Sequence, residues 1–534
     1  MSKKRVAIVG GGVSGMAAFW ALQYSPHDVH IFEATNLTGT LTQHAVCDVG
    51  DHKVQVDAGL TLFNPDTAPN LMAFIRALGL PVKRKMFSLS TSGTEENAYE
   101  MAWGSIPGVR TLLGLRSFFD PDMWKLRLEI LNFSYLVLDF LRDPFKDDRD
   151  SLISYPSDES PRLSPTSERE MNEIGLQDYL RRHNFSDAFF EKYLIPLLSA
   201  LWGLGDVWRI MDLPADAVFQ HLWDNGFCNG HSLWPAWAVL DHRANFRAAL
   251  RYLPAGKIHT ETTVVSVKSD GSTNVSFVLQ LRNGRKECFD HVIFAMPGKE
   301  ALDLLSRDPN LKLNESVILS GFQETKAMAI IHSDETHMPR SKKAWSLVNH
   351  TKKAPDDIST RPTITYWMNQ FHNLDCPPGK NIFITLNPRF PTPDIDLVHG
   401  LWEHGRPMID RETLVCQKEL PQIQNTRGIS YCGSWTGFGT HEDGVRSAFE
   451  VAVNHLGAEL PFEVVDIKKL RSEIAPGVTL AGSIILLIVK IIPASILAIK
   501  ALIQVLTLVR VIFKLRHFIR RRRRPAPTED AHED

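Results

Sequence analysis

The stretch Arg5-Val-Ala-Ile-Val-Gly10-Gly11-Gly12-Val13-Ser14-Gly15-Met-Ala-Ala-Phe19, followed by Val29-His-Ile-Phe-Glu33, decides the fold. An apolar run of strand type enters a glycine turn, an apolar helical run leaves it, and a second strand ends on an acid. That is the βαβ setting of a dinucleotide site. Gly10 permits the tight turn, Gly12 lets the backbone approach a pyrophosphate, and Gly15 lets the helix pack close to the strand. Gly11 and Ser14 complete the turn, and the free N–H groups at the helix start face the phosphates. Glu33 is placed to accept hydrogen bonds from the ribose hydroxyls of the adenosine half.

A chain of 534 residues is too long for one small core and predicts roughly two to four domains. The 59 basic residues nearly balance the 61 acidic ones, which argues against a nucleic-acid or other polyanionic partner. With 44% apolar residues the bulk reads as a folded soluble body, so any membrane contact has to be local. Cys47, Cys228, Cys288, Cys376, Cys416 and Cys432 are scattered and form no CxxC pair, and no secretory segment precedes the first strand. They read as reduced thiols of a cytosol-facing body, without a metal site.

Further along, Val54-Gln-Val-Asp57-Ala-Gly59-Leu-Thr-Leu-Phe63-Asn64 is a short alternating strand that runs into a loop. Leu71, Phe74, Ile75 and Leu78 recur at helical spacing, and Gly79 and Pro81 close that helix. From about Trp103 to Arg142 the sequence reads as helical, and residues 144–170, rich in Asp, Ser and Pro, as an exposed insertion. A second helical block runs from Gly175 to about Leu253. Strand-type runs on either side of Asp270-Gly271 then predict a hairpin, and Asp290 to Pro297 a buried strand. Ala327 to Leu386 is strand-rich, and Ile429 to Leu456 reads as strand, turn and helix.

Tyr431-Cys-Gly433-Ser-Trp435-Thr-Gly-Phe-Gly-Thr-His441-Glu-Asp443-Gly444-Val-Arg446 completes a pattern with the Gly10 to Gly15 turn, the Val265 strand and the Asp290 strand. Together they resemble the flavin-containing amine oxidase superfamily, which includes phytoene-desaturase-like enzymes. Narrower strings resemble a branch of predicted FAD-binding oxidoreductases whose bacterial members often accompany cyclopropane-fatty-acid synthase. Among these strings are Val56-Asp57-Ala-Gly59, His332-Ser-Asp334, Trp345 with Asn349, Thr365-Tyr366-Trp367-Met368-Asn369 and Thr385-Leu386-Asn387-Pro388.

The resemblance, which covers about residues 5 to 456, implies an α/β (α+β) fold, with a Rossmann-like FAD-binding domain of the amine oxidase type and an interleaved mixed-sheet and helical substrate domain; the sequence beyond it adds a C-terminal membrane-associated helical segment. It places the FAD-binding domain in residues 1–98, 256–300 and 426–460 and the substrate domain in 99–255 and 301–425, leaving 461–534 as the tail. It implies non-covalent FAD held by Gly10, Gly11, Gly12, Ser14, Gly15, Glu33, Gly39, Gly59, Val265, Gly433, Asp443 and Gly444. Leu37-Thr38-Gly39-Thr40 stands where the family usually has a Gly-Gly pair. Cys432 reads as a small buried residue and not as a covalent flavin attachment.

A flavin carries out hydride or electron transfer itself, so the protein need only place a substrate against it and tune the ring. Tyr366 and Trp435 are the candidate flavin-facing aromatics, since aromatic faces orient flat or cationic substrates. Asp443 is expected to cap its helix or bind the ribityl chain, and His332 with Asp334 to form a structural hydrogen bond.

From Val478 to Phe513 the chain is almost wholly apolar, with Lys468, Lys469 and Arg471 before it and Lys514, Arg516 and Arg520 to Arg524 after it. Such a stretch exceeds a soluble core helix and predicts membrane attachment. Lys500, Gln504, Thr507, Arg510 and Lys514 fall at steps of three or four, so an interfacial helix, or a hairpin turning near Pro493, fits better than a single span. The expected activity is an FAD-dependent oxidoreductase acting at the membrane on a lipophilic substrate, as oxidase, desaturase or isomerase. A monoamine-oxidase-like enzyme is the second reading, and a non-catalytic lipid-binding or escort protein on the same fold the third.

Overall fold

The computed structural model describes residues 2–36, 44–49, 52–57, 62–93, 100–104, 121–142, 175–202, 211–228, 236–240, 255–270, 276–352, 362–372, 374, 376–389 and 392–467. The expected insertion at 144–170, the tail from 468 onward, Gly39 and Gly59 lie outside the described residues.

Five strands form a parallel sheet: β1 (Arg5–Val9), β2 (Asp28–Phe32), β10 (Ile258–His259), β14 (His291–Phe294) and β20 (Ile429–Tyr431). Their order is β10-β2-β1-β14-β20, so the sheet gathers strands from the start, middle and end of the chain. The strands are short and apolar on both faces because helices cover both sides. Two of those helices, α1 (Val13–Leu22) and α11 (His441–Leu456), pack against each other, and α2 (Pro69–Ala77) joins them around Phe19, Phe74 and Phe449.

A second, seven-stranded sheet contains β7 (Ser88–Ser92), β8 (Glu100–Gly104), β15 (Glu324–His332), β16 (Val348–Thr351), β17 (Thr363–Trp367), β18 (Phe383–Leu386) and β19 (Val398–Pro407). They run in the order β19-β15-β18-β17-β16-β7-β8. Alternation gives this sheet two different faces. Leu89, Val348, Tyr366 and Ile384 enter the largest apolar core, while Ser90, Asn349, Thr365 and Thr385, in register across four strands, lie on the opposite face.

Helices α3 (Pro121–Arg142), α4 (Leu176–Arg182), α5 (Ile195–Trp202) and α6 (Ala215–Asp224) complete that core with Phe133, Phe189 and Phe219. Smaller pieces are the β3 (His44–Val49) and β4 (His52–Asp57) hairpin, an antiparallel set of β5 (Leu62–Phe63), β6 (Val82–Met86) and β9 (Ala236–Leu240), and the meander β11 (Val264–Ser269), β12 (Phe277–Leu281) and β13 (Lys286–Phe289). Beyond the meander lie α7 (Gly298–Leu305), α8 (Leu313–Ser320), α9 (Met368–His372) and α10 (Arg411–Glu419).

Two expectations need correction. Trp103 lies in strand β8, where it pairs with Leu89, and not at the start of a helix. The block read as helical from Gly175 contains strand β9, which bridges β5 and β6. Both are short strands whose partners are distant in sequence, so pairing overrides the local pattern.

Candidate functional site

The turn after β1 is built for a backbone-held anion. Gly10 sits at φ +107°, and a methyl there would lie 2.5 Å from the Ala295 carbonyl oxygen. Gly15 approaches the Gly10 carbonyl so closely that no side chain fits. Gly12 differs, since a methyl on it meets nothing within 4 Å, which leaves the helix mouth open. No side chain caps α1 and its first turn holds no acid, so its N-terminal N–H groups and positive dipole end suit a pyrophosphate. This cradle fits the diphosphate of FAD.

Glu33 closes the turn from below. Its Oε2 accepts from the Gly11 N–H at 2.8 Å and its Oε1 from the Thr35 N–H at 2.8 Å, which fixes the carboxylate at the end of β2 with lone pairs remaining for a ribose. Val265 is the bulged residue of β11, between the pairs Val264 with Leu281 and Ser266 with Gln280. A bulge leaves its backbone groups outside the ladder, where an adenine edge can meet them.

The second motif brings α11 to the same place. Gly444 lets α11 approach α1, because a methyl there would stand 2.8 Å from Ser14 Oγ. Gly433 donates its N–H to Ser447 Oγ at 3.0 Å. Thr440 is the N-cap and Asp443 its N3 partner in a capping box: the Asp443 Oδ2 accepts from Phe438 N–H at 3.0 Å, Thr440 N–H at 3.1 Å and Thr440 Oγ1 at 2.6 Å. Arg446 stands 3.6 Å from its other oxygen. Glu442, buried beside it, reaches the start of α2, accepting from Leu71 N–H at 2.7 Å and Asn70 Nδ2 at 2.6 Å. Burial pushes Glu442 up to about 7, against the hydrogen bonds, which lower it.

Above this cradle lies a cavity of about 270 Å³. Val13, Ser434 and residues Phe438 to Asp443 meet Tyr366, Arg406 and Pro407 there, with Trp202 and Trp237 among the walls. A neighbouring lobe of about 180 Å³, lined by Gly12, Ser14, Gly433 and Trp435, shares Val13, Pro407 and Ser434 with it. The two flavin-facing candidates therefore line different lobes. Tyr366 lines the larger one; its ring is buried, and among the described residues its hydroxyl has no hydrogen-bond partner. Trp435 lines the smaller one, with its Nε1–H donated to the Met296 carbonyl at 2.8 Å and its ring 4.4 Å from that of Phe322. A larger groove of about 1300 Å³ runs along α6, α10 and α11, but contains none of the glycine turn.

His441 opens onto the 270 Å³ cavity and is held down to about 4 by burial and, second, by the Arg406 charge, so its imidazole is neutral at pH 7. Burial raises the Tyr366 phenol, so it keeps its proton. Arg406, Glu442, Phe438, Trp202 and Trp237 are absent from the residues expected as site residues. Arg406 follows the polar stretch Glu403-His404-Gly405, which gives no local sign of a cavity.

The family model for flavin containing amine oxidoreductases matches residues 13–401, more than half of the chain. The chain belongs to that family. It is an FAD-dependent oxidoreductase. No curated protein matches it in sequence. Among solved structures it resembles the CLA-producing fatty acid isomerase of P. acnes, at 13% identity and TM-score 0.54, over 84% of this chain and 98% of that one. Cyclohexylamine oxidase of Brevibacterium oxydans gives 14% identity and TM-score 0.54, over 85% and 99%. Reduced UDP-galactopyranose mutase gives 12% and 0.54, over 89% and 98%. At these identities the likeness is one of fold. Flavin amine oxidoreductase membership sets aside the non-catalytic escort reading.

Proposed function

We propose that this flavin amine oxidoreductase acts on a lipophilic substrate drawn from a membrane, with its catalytic body on the cytosolic side. The cavity carries this reading. Phe63, Trp202, Trp237, Tyr366 and Phe438 give it aromatic walls beside a polar side at the start of α11, its floor meets the uncapped end of α1 at Val13, and Ile467 lies on its wall, shortly before the apolar stretch that begins at Val478. Among the described residues no helix is long and apolar enough to cross a membrane. The polar stripe from Lys500 to Lys514 supports attachment through an interfacial helix or hairpin, and Arg520 to Arg524 add attraction for anionic lipid.

Bound FAD supplies hydride or electron transfer. The residues of the chain bind and orient. The α1 mouth holds the pyrophosphate, Glu33 the ribose and the Val265 backbone the adenine. Gly433 and Gly444 bring the second helix up to the flavin side, and Gly39 and Gly59 belong to the same expected set. Tyr366, Trp202 and Phe438 position the substrate and exclude water. Cys432 favours non-covalent FAD, because it is fully buried and burial pushes its thiol up to about 12. The division into FAD-binding parts 1–98, 256–300 and 426–460 is supported by the parallel sheet, which takes β1 and β2, β10 and β14, and β20 from those three parts.

The test has two readouts on the detergent-purified full chain. Flavin absorption that passes into the supernatant after acid precipitation is expected for non-covalent FAD. Flotation with vesicles containing anionic lipid, resistant to high salt, is expected for the tail. A protein that stays at the bottom of the gradient removes the membrane from the reading, and a flavin that stays with the precipitate removes non-covalent binding.

A further inference from the structure

Two uncharged side chains leave hydrogen-bond donors unused on the 270 Å³ cavity. Asn64 follows β5, and its Oδ1 accepts from the Asp66 N–H at 2.8 Å while its carbonyl accepts from the Thr67 N–H at 3.3 Å. That turn engages the amide oxygen, which fixes the orientation of the amide and leaves the Nδ2 donor as the free end. Among the described residues Nδ2 has no acceptor, although Asn64 is only 4% exposed and lines the cavity. Tyr366, 3% exposed, carries a hydroxyl in the same condition, and burial raises its phenol so that it keeps its proton. The indole Nε1–H of Trp202, on the same lining, also lacks an acceptor. The carboxylates at the start of α11 do not meet this need. Glu442 accepts from Asn70 and Leu71, and Asp443 Oδ2 from Phe438 and Thr440. Buried donors without acceptors are costly, so a group that enters the cavity gains by supplying one. An sp² oxygen has two lone pairs to offer them, whereas a protonated amine brings donors only and cannot pair with an amide nitrogen.

We infer that the Asn64 amide and the Tyr366 hydroxyl bind a carbonyl-type oxygen of a lipophilic substrate whose apolar part lies along Phe63, Phe438 and Ile467. This rests on the lipophilic-substrate reading above and gives the substrate its polar head.

The experiment titrates the full-length holoenzyme with a medium-chain methyl ketone, isotope-labelled at the carbonyl carbon, and with the hydrocarbon in which a methylene replaces that carbonyl. Binding is followed by calorimetry and the carbonyl by infrared difference spectroscopy. The C=O stretch of the bound ketone is expected below its position in hexane. Tyr366→Phe removes only the hydroxyl, and Asn64→Asp keeps an oxygen for the Asp66 N–H while exchanging the donor for an acceptor. Each should move the stretch back toward the hexane position and weaken the ketone about 2- to 10-fold, with the hydrocarbon unchanged. The fatty acid of the same length is the second arm: the same variant effects on the acid alone assign the oxygen to a carboxylate, and effects on the ketone as well assign it to an uncharged carbonyl. The wild-type infrared shift is read even if a variant fails to fold.

An unshifted stretch in the wild type overturns the donor assignment and leaves the lipophilic reading in place. So does a shift that both variants leave unchanged, since water would then be the partner. Loss of FAD from a normally melting Tyr366→Phe or Asn64→Asp protein also overturns it, because the donor would then serve the cofactor. Binding of none of the three ligands overturns the lipophilic reading itself.

Discussion

Gly12→Ala should separate cofactor binding from folding, because the glycines of the first turn meet different surroundings. Gly12 sits at φ −68° and ψ −172°, a backbone that an L-residue adopts without strain, and its methyl would enter open space. Alanine in place of glycine at a helix N-cap costs up to about 1 kcal/mol. The reduced freedom of the unfolded chain returns about 0.4–1 kcal/mol, so stability stays near the wild-type value. The methyl does, however, stand where a pyrophosphate reaches the α1 N–H groups. Losing one charge-assisted hydrogen bond there, about 1.5–3 kcal/mol, weakens FAD binding roughly 10- to 150-fold. Gly10→Ala should behave differently. At φ +107°, with the Ala295 carbonyl oxygen 2.5 Å away, the methyl forces the turn itself to move, and the folded state should lose about 3 kcal/mol or more. The assay is FAD titration of the full-length proteins by absorption, beside thermal melts of the FAD-free chains. A Gly12→Ala protein with wild-type FAD affinity refutes the pyrophosphate assignment. One that melts as low as Gly10→Ala refutes the argument from open space.

Three further outcomes are expected. Burial raises Glu442 from 4.5 to about 7, so between those values the folded chain keeps a proton that the unfolded chain has lost, and stability falls as pH rises, by about 1.4 kcal/mol per unit and about 3 kcal/mol in all. With FAD in excess, Glu442→Gln should melt progressively better relative to wild type from pH 5 to pH 8; a constant difference removes Glu442 as the titrating group. Thr440→Ala removes the hydroxyl that accepts from Asp443 N–H at 3.2 Å and caps α11, and should cost about 1 kcal/mol, read as a lower melting temperature. Trp435→Phe loses the hydrogen bond to Met296, again about 1 kcal/mol, and should leave the flavin absorption bands in place. A shifted flavin spectrum in that variant would instead support the expected place of Trp435 at the face of the ring.

How much of this was legible in the sequence depended on how local each feature is. The βαβ turn, its three glycines and Glu33 lie within one short segment and were readable from spacing alone. The closing strands β14 and β20 were recognised as strands, but only the family resemblance, and not their period, brought them to β1. Strand β9 and the strand character of Trp103 were missed, because pairing partners far away in sequence impose them. Arg406 was missed for a similar reason. Nothing near His404-Gly405-Arg406-Pro407 tells a reader that the side chain faces Tyr366 and His441, since β19 reaches the cavity only through its pairing with β15.

The strings that carry the narrower resemblance turn out to sit mostly on one buried polar layer, and that layer explains what they are for. His332 is fully buried and is lowered to about 3 by burial, so its ring is neutral. Its Nδ1 accepts from Asp334 N–H at 3.1 Å, which puts the proton on Nε2 and makes it the donor to Thr385 Oγ1 at 2.7 Å. Thr385 then donates to Thr365 Oγ1 at 2.9 Å, and Asn349 ties β16 to β17 through the Thr365 carbonyl and to β7 through Ser90. Each group has its partner, and removing one would strand another in the interior at about 1–3 kcal/mol. Because side chains alternate, a polar partner fixed at Thr365 fixes the opposite orientation for Tyr366, and Asn349 does the same for Val348. A one-residue slip of β17 would bury Tyr366 in the polar layer and turn Thr365 toward the cavity. The motif residues therefore act on the cavity from the far side of the sheet, by holding the register that brings Tyr366 to its lining.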